Sequence, residues 1–203
     1  DTALASDLNG GANGEDIEAL LATNGLNELL VEKTATIGEK LSVRRFAKVT
    51  GDAVASYIHG GGRIGVLVAA DGASNDAIKE AMTNVAMQIA ALNTPYLNES
   101  EVPAEIIEHE KEVMRQQVIN EGKPEQIADK IVMGKIGKFY KENCLLDQEF
   151  VKDNKINIKQ YTQNPAKELG GSIEIKKFVR FEKGEGIEKR QDDFAAEVAS
   201  MVK

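Results

Sequence analysis

Strand-forming and helix-forming patterns fall in separate stretches of this chain, and that segregation predicts an α+β fold. Three observations carry it. Tyr57-Ile58 and the apolar run Ile64 to Val68 flank Gly60-Gly61-Gly62 as an antiparallel β-hairpin would, and a further strand pattern follows late, at Ser172 to Phe181. Ile78, Met82, Val85, Ile89 and Leu92 fall at spacings of four and three, the clearest amphipathic helical stripe in the chain. Residues 103 to 143 are dense in charge and broken once, at Glu121-Gly122-Lys123-Pro124, which reads as a helical hairpin.

Each element has a local cause. Asn9 to Gly14 is a loop by composition, and Ile17, Leu20 and Leu21 share one side of a short helix over Glu15 to Ala22. Asn24-Gly25 breaks it. A second helix with Leu26, Leu29 and Leu30 runs to about Thr36, where Gly38 suggests a stop. Val43 to Val49 alternates with period two and is expected to be a strand, closed by Thr50-Gly51-Asp52. In the turn after the hairpin, Ser74 or Asn75 can cap the helix of the apolar stripe, and Asn93-Thr94-Pro95 ends it.

In the helical hairpin, Pro103 and Pro124 suit helix starts and Gly122 suits a position just past a helix end. Ile106, Ile107, Val113, Met114 and Val118 on the outgoing arm can face Ile127, Ile131, Val132, Ile136 and Phe139 on the return arm. Each arm of roughly 20 residues extends about 30 Å at 1.5 Å per residue. A pair that long either projects as an antiparallel coiled coil or packs on another chain. Beyond it come a mixed segment at Cys144 to Val151, a polar loop, and a short helix candidate at Asn157 to Gln163. Lys183 to Gly186 reads as a polar turn, and Asp192 or Asp193 can cap a last helix with Phe194, Val198 and Met201 on one face.

Composition excludes several function classes. The 203 residues suffice for one large or two small domains, and no apolar run approaches 18 residues, so no membrane partner is expected. A net charge of -8 argues against direct nucleic-acid binding, which needs clustered Lys and Arg. The single cysteine, Cys144, allows no intrachain disulfide and fits a reducing compartment. Without a neighbouring Cys or His it reads as a buried thiol rather than a metal ligand, and no cofactor is expected. The chain begins with Asp1 rather than Met, which suggests a processed or truncated protein.

The most specific stretch is the hairpin. Three glycines permit positive φ or close approach of another backbone, and they display His59 at the tip. Taken alone, His59 is an ordinary turn histidine. His-Gly-Gly-Gly also resembles the oxyanion loop of esterases, yet no Gly-x-Ser-x-Gly elbow exists, and the one other histidine, His109, lies mid-helix among charges. Gly184-Glu185-Gly186 lacks the Lys-Ser/Thr ending of a phosphate loop and reads as a turn.

Five segments together carry a resemblance. They are Thr36 to Phe46, the hairpin Tyr57 to Val68, Glu121-Gly122-Lys123-Pro124-Glu125, Cys144 to Val151, and Gly184 to Lys189. In this order they resemble the bacterial elongation factor Ts family, which exchanges the nucleotide on elongation factor Tu during translation. The resemblance runs from about Gly25 to Met201.

It implies an α+β core with a three-stranded antiparallel sheet of about Ala53 to His59, Arg63 to Ala70 and Ser172 to Glu182, with helices on one side. It further implies a protruding antiparallel coiled coil at 103–143, which also serves as the dimerisation region, with Ile106, Val113, Ile127 and Ile131 as its contacts. Residues 1–50 would be the remainder of a first core subdomain, 51–102 and 144–190 a second, and 191–203 a C-terminal module. Contacts to elongation factor Tu would fall on Tyr57, Ile58, His59, Gly60, Gly61, Gly62 and Arg63, and on Phe194, Val198 and Met201. The setting implied is the bacterial cytoplasm or an organellar stroma or matrix.

One departure qualifies this. The family carries a Thr-Asp-Phe-Val segment whose Asp and Phe act on the magnesium side of the nucleotide pocket, and no Thr-Asp-Phe occurs here. The chain is therefore expected to be the C-terminal two thirds of such a protein. Val43 to Val49 would be left as an orphan strand in need of a partner. A binding module that docks or dimerises through its helical hairpin, without exchange, is the second reading.

Overall fold

A computed structural model describes residues 1–168 and 172–187. The expected last helix, with Phe194, Val198 and Met201, lies outside the described residues. Three short helices come first: α1 (Thr2–Ala5), α2 (Ile17–Leu21) and α3 (Leu26–Ile37). α3 stops at Gly38, which takes φ 80°, the left-handed conformation a glycine adopts without penalty.

Val43 to Val49 is extended but is not a strand, contrary to its period-two pattern. Among the described residues its backbone bonds only the loop at 9–11, which pairs with it at a single bridge, Gly10 with Ala47. Gly11 N–H donates to Phe46 O at 2.9 Å and Lys48 N–H to Asn9 O at 2.8 Å. A strand exists only where a ladder continues, and this loop turns away after two bonds.

The sheet is antiparallel in the order β1 (Ala53–His59), β2 (Ile64–Gly72), β5 (Ile173–Glu182), as expected. Registers Ala55 with Val68 and Val68 with Phe178 set alternate side chains on one face. There Ala53, Ala55, Val66, Val68, Ile173 and Ile175 are buried against α4 (Asp76–Leu92), whose Ile78, Met82, Val85 and Ile89 are fully enclosed. Asn75 caps α4, its Oδ1 accepting from Ile78 N–H at 2.9 Å.

The long pair α5 (Ala104–Asn120) and α6 (Glu125–Asn143) is joined by a four-residue turn, as expected. Arg115 on α5 reaches Glu125 and Asp129 on α6 at 2.8 and 3.3 Å, while Ile107 shares a cluster with Phe139 and Tyr140, so the arms run antiparallel. The seam is thinner than the sequence pattern suggests. Ile107, Val118, Ala128, Val132 and Ile136 are buried in it, whereas Ile106, Val113 and Ile127 are 38, 38 and 45% exposed.

After α6 a small ladder forms between β3 (Glu149–Phe150) and β4 (Asp153–Asn157), where the sequence suggests a mixed segment and a polar loop. α7 (Ile158–Glu168) continues past the expected end at Gln163 and through Pro165. Burial of Ala166 in the main core offsets the backbone bond that proline cannot make.

A buried polar junction ties these parts together. Gln88 on α4 donates from Nε2 to Glu149 O at 3.0 Å and accepts Val151 N–H at 2.9 Å. Gln148 accepts from the Thr94 hydroxyl at 3.0 Å and donates to Glu142 O at 2.9 Å. Both glutamines are fully enclosed, so these bonds satisfy amides that burial would otherwise penalise.

Candidate functional site

The hairpin tip owes its shape to its glycines. Gly60, Gly61 and Gly62 all take positive φ, at 60°, 64° and 93°. A Cβ at Gly61 or Gly62 would meet nothing within 4 Å. The triplet is thus required for backbone conformation and not for close approach. Arg63 N–H closes the turn on His59 O at 3.0 Å, and Lys183 N–H binds Arg63 O at 2.8 Å, which ties the tip to the end of β5.

Strand alternation then sorts the side chains. Tyr57 and His59 share the α4 face of β1, with ring centroids 5.9 Å apart and the Tyr57 hydroxyl 3.1 Å from His59 Nδ1. That bond limits the rotamers of an otherwise exposed imidazole. Ile58 points to the opposite face, where it is 67% exposed, far from the usual place of an isoleucine. Arg63 projects beside it, its Nε 3.7 Å from Glu182 on β5.

Next to Ile58, on the sheet face away from α4, lies a mostly apolar hollow of about 210 Å³ lined by Ser56, Gly65, Leu67, Val179, Phe181 and Ala47. Arg45 stacks over the Phe181 ring at 4.2 Å and reaches Glu185 at 2.7 Å, closing one end of the hollow. The Arg44 guanidinium holds the Glu185 carbonyl beside it. The hollow escapes a sequence reading because its residues come from three segments far apart in the chain. The alternation of Leu67, Val179 and Phe181 was its only local trace.

The remaining expected site residues are spread out. Ile106, Val113, Ile127 and Ile131 belong to the α5–α6 pair, and His109 is exposed on α5, apart from the hairpin tip. Among the described residues no group of three or more His, Cys, Asp and Glu is placed to hold a metal ion. No helix among them is long and apolar enough to cross a membrane. Cys144 is enclosed, and burial followed by the nearby Asp147, Glu99 and Glu101 carboxylates pushes its thiol up to about 11. It is therefore a packing residue rather than a nucleophile. Ile58, His59 and Arg63 thus stand exposed together at the tip of the β1–β2 hairpin.

Comparison with known proteins identifies the family. The family model described as Elongation factor TS matches residues 5–185. Elongation factor Ts of Clostridioides difficile (strain 630) is 50% identical over 196 residues, covering 93% of this chain and 65% of that protein. Elongation factor Ts of Clostridium perfringens (strain SM101 / Type A) is 49% identical over 204 residues, covering 97% of this chain and 67% of its own length. The chain thus spans about two thirds of the length of these relatives. With a family model across most of its residues and relatives at half identity, the chain belongs to the elongation factor Ts family.

Proposed function

We propose that this chain docks on elongation factor Tu and promotes release of its guanine nucleotide, by binding the nucleotide-free state more tightly than the nucleotide-bound one. The observation that carries the reading is the hairpin tip, where Ile58, His59 and Arg63 stand exposed on a glycine turn braced against β5. Family membership supplies the class of partner. Such a factor makes and breaks no covalent bond. It shifts the partner's equilibrium only by its differential affinity for the two states, so that difference is the quantity to measure.

In this reading the tip residues Tyr57 to Arg63 and the stripe Phe194, Val198 and Met201 contact the partner. Residues 51–102 and 144–190 form the supporting subdomain, with 1–50 the remainder of another and 191–203 the terminal module. The α5–α6 hairpin, 103–143, is a projecting coiled coil that offers Ile106, Val113, Ile127 and Ile131 to a second copy. The exposure of Ile106, Val113 and Ile127 supports a contact role for that hairpin with or without exchange. Work in the bacterial cytoplasm fits such a partner.

The test is a titration of the chain against elongation factor Tu, once stripped of nucleotide and once loaded with GDP. Tighter binding to the stripped form is expected, with faster release of a fluorescent GDP at saturation. Equal affinity for both forms overturns exchange and leaves the docking module. Because the chain contains no Thr-Asp-Phe, its acceleration should fall well below that of a family member carrying the segment.

A further inference from the structure

Two polar rings, not one, stand at the hairpin tip. Alternation along β1 places Tyr57 and His59 on the same face of the strand, and the Tyr57 hydroxyl lies 3.1 Å from His59 Nδ1. The two ends of that contact are held differently. Tyr57 is half-buried and its ring packs against the sheet core, so its hydroxyl is carried at a fixed place. His59 is exposed, and apart from this contact only its backbone is tied down, by Arg63 N–H on its carbonyl at 3.0 Å. The ordinary explanation of Tyr57 is packing. A phenylalanine would serve for that, however, and the Tyr57 hydroxyl bonds no other group among the described residues.

The contact has a direction. A separation of 3.1 Å fits donation either way, and the chemistry of the two groups chooses between them. A phenol O–H is a good donor whose oxygen accepts poorly, because its lone pair is shared with the ring. The unprotonated nitrogen of a neutral imidazole, by contrast, is a strong acceptor. Tyr57 O–H therefore donates to Nδ1. The hydrogen bond made by one ring nitrogen sets the state of the other, which puts the imidazole proton on Nε2. Among the described residues Nε2 bonds nothing, and its N–H is left for a partner.

We propose that Tyr57 is a positioning residue for His59: it occupies Nδ1 and holds the ring, so that His59 meets elongation factor Tu as a neutral Nε2–H donor to an oxygen acceptor on that partner. This rests on docking at the hairpin tip and refines it, since Tyr57 acts through His59 and not on the partner. Two consequences are specific to it. A side chain that carries an N–H as far from the backbone as Nε2 keeps part of the contact. The Tyr57 hydroxyl matters only while His59 is present.

The experiment uses the whole chain at pH 8, isotope-labelled in its histidine rings, and reads the ring nitrogens of His59 and His109 by proton–nitrogen correlation. His59→Gln assigns them. His59 should show the Nε2–H pattern, with its Nδ1 resonance displaced, as an accepted hydrogen bond requires, from that of His109, which is exposed and bonds nothing through its side chain among the described residues. Tyr57→Phe should abolish the displacement. Binding to nucleotide-free elongation factor Tu should fall severalfold in Tyr57→Phe, with urea denaturation unchanged. His59→Gln should keep more affinity than His59→Asn, which should match His59→Ala. In the His59→Ala background, Tyr57→Phe should change nothing further, as a pair acting together requires.

An Nδ1–H pattern for His59, or a pattern that Tyr57→Phe does not move, overturns the proposal. So does a Tyr57→Phe loss that persists without His59, because the hydroxyl then touches the partner itself. Full affinity of Tyr57→Phe beside a weakened His59→Ala overturns this role alone and leaves docking at the tip standing. Full affinity of His59→Ala removes docking at the tip and this role together.

Discussion

The sheet with α4 and the α5–α6 hairpin are both closed by apolar side chains, yet they draw those side chains from different distances along the chain. The sheet joins residue 53 to residue 175 and encloses Val68, Ile78, Met82 and Ile89 completely. The hairpin joins neighbours across one turn, with a thin seam and charged rims such as Arg115 with Glu125 and Asp129. Apolar burial at roughly 25 cal/mol per Å² makes the first region the source of stability. The second keeps exposed isoleucines and valines that its own fold does not need. Stability is thus concentrated in one part of the chain, and the exposed apolar side chains of the hairpin add little to it.

Ile89→Ala should break the sheet side, costing about 2–5 kcal/mol in urea denaturation because the site is fully enclosed. Ile127→Ala on the hairpin should stay within about 0.5 kcal/mol. If the two variants cost the same, the contrast is wrong. Gln148→Ala attacks the junction between the regions, stranding Thr94 and the Glu142 carbonyl at about 1–3 kcal/mol. Hydrogen exchange at the end of α6 should rise with it; unchanged protection there would show that the hairpin is independent of the core.

His59→Ala should weaken binding to nucleotide-free elongation factor Tu by about tenfold, the loss of a hot-spot residue, with stability unchanged. An unaltered affinity would move the docking surface elsewhere. Arg115→Ala should leave stability almost unchanged, since both its partners are largely exposed, and any difference should vanish in high salt.

The smallest effect concerns pH. The Arg45 guanidinium holds the Glu185 carboxyl below its ordinary value of 4.5. A lowered folded-state value means stabilisation present above the ordinary one and lost as pH falls beneath it. Arg45→Gln should therefore flatten the acid limb of the stability curve slightly, because Glu185 remains half exposed. Cys144 has the opposite sign: its raised value contributes fully below about 9 and is lost toward about 11. At pH 8 a thiol reagent should label it only after unfolding.

The elements were legible where a local cause sufficed. Glycine and proline punctuation marked both hairpins, period four and three marked α4, and Asn75 stood ready as its cap. Val43 to Val49 misled because alternation describes a strand's side chains and says nothing of whether a neighbour supplies hydrogen bonds. α7 ran past Pro165 because Ala166 packs in a core that the local pattern cannot see. Of the candidate site, the display of His59 could be read directly, while the hollow beside Ile58 could not.

What the sequence determined by itself was the set of backbone conformations: a turn that three glycines allow, a helix that Ser74 or Asn75 starts, a hairpin that Gly122 and Pro124 fold back. Those depend on sterics and hydrogen bonds within a few residues. What only the tertiary structure decided was which surfaces remain open. Whether Ile58 is covered and what braces the hairpin tip depend on segments more than a hundred residues apart. Such contacts follow from packing three-dimensional faces together, and no local pattern encodes them.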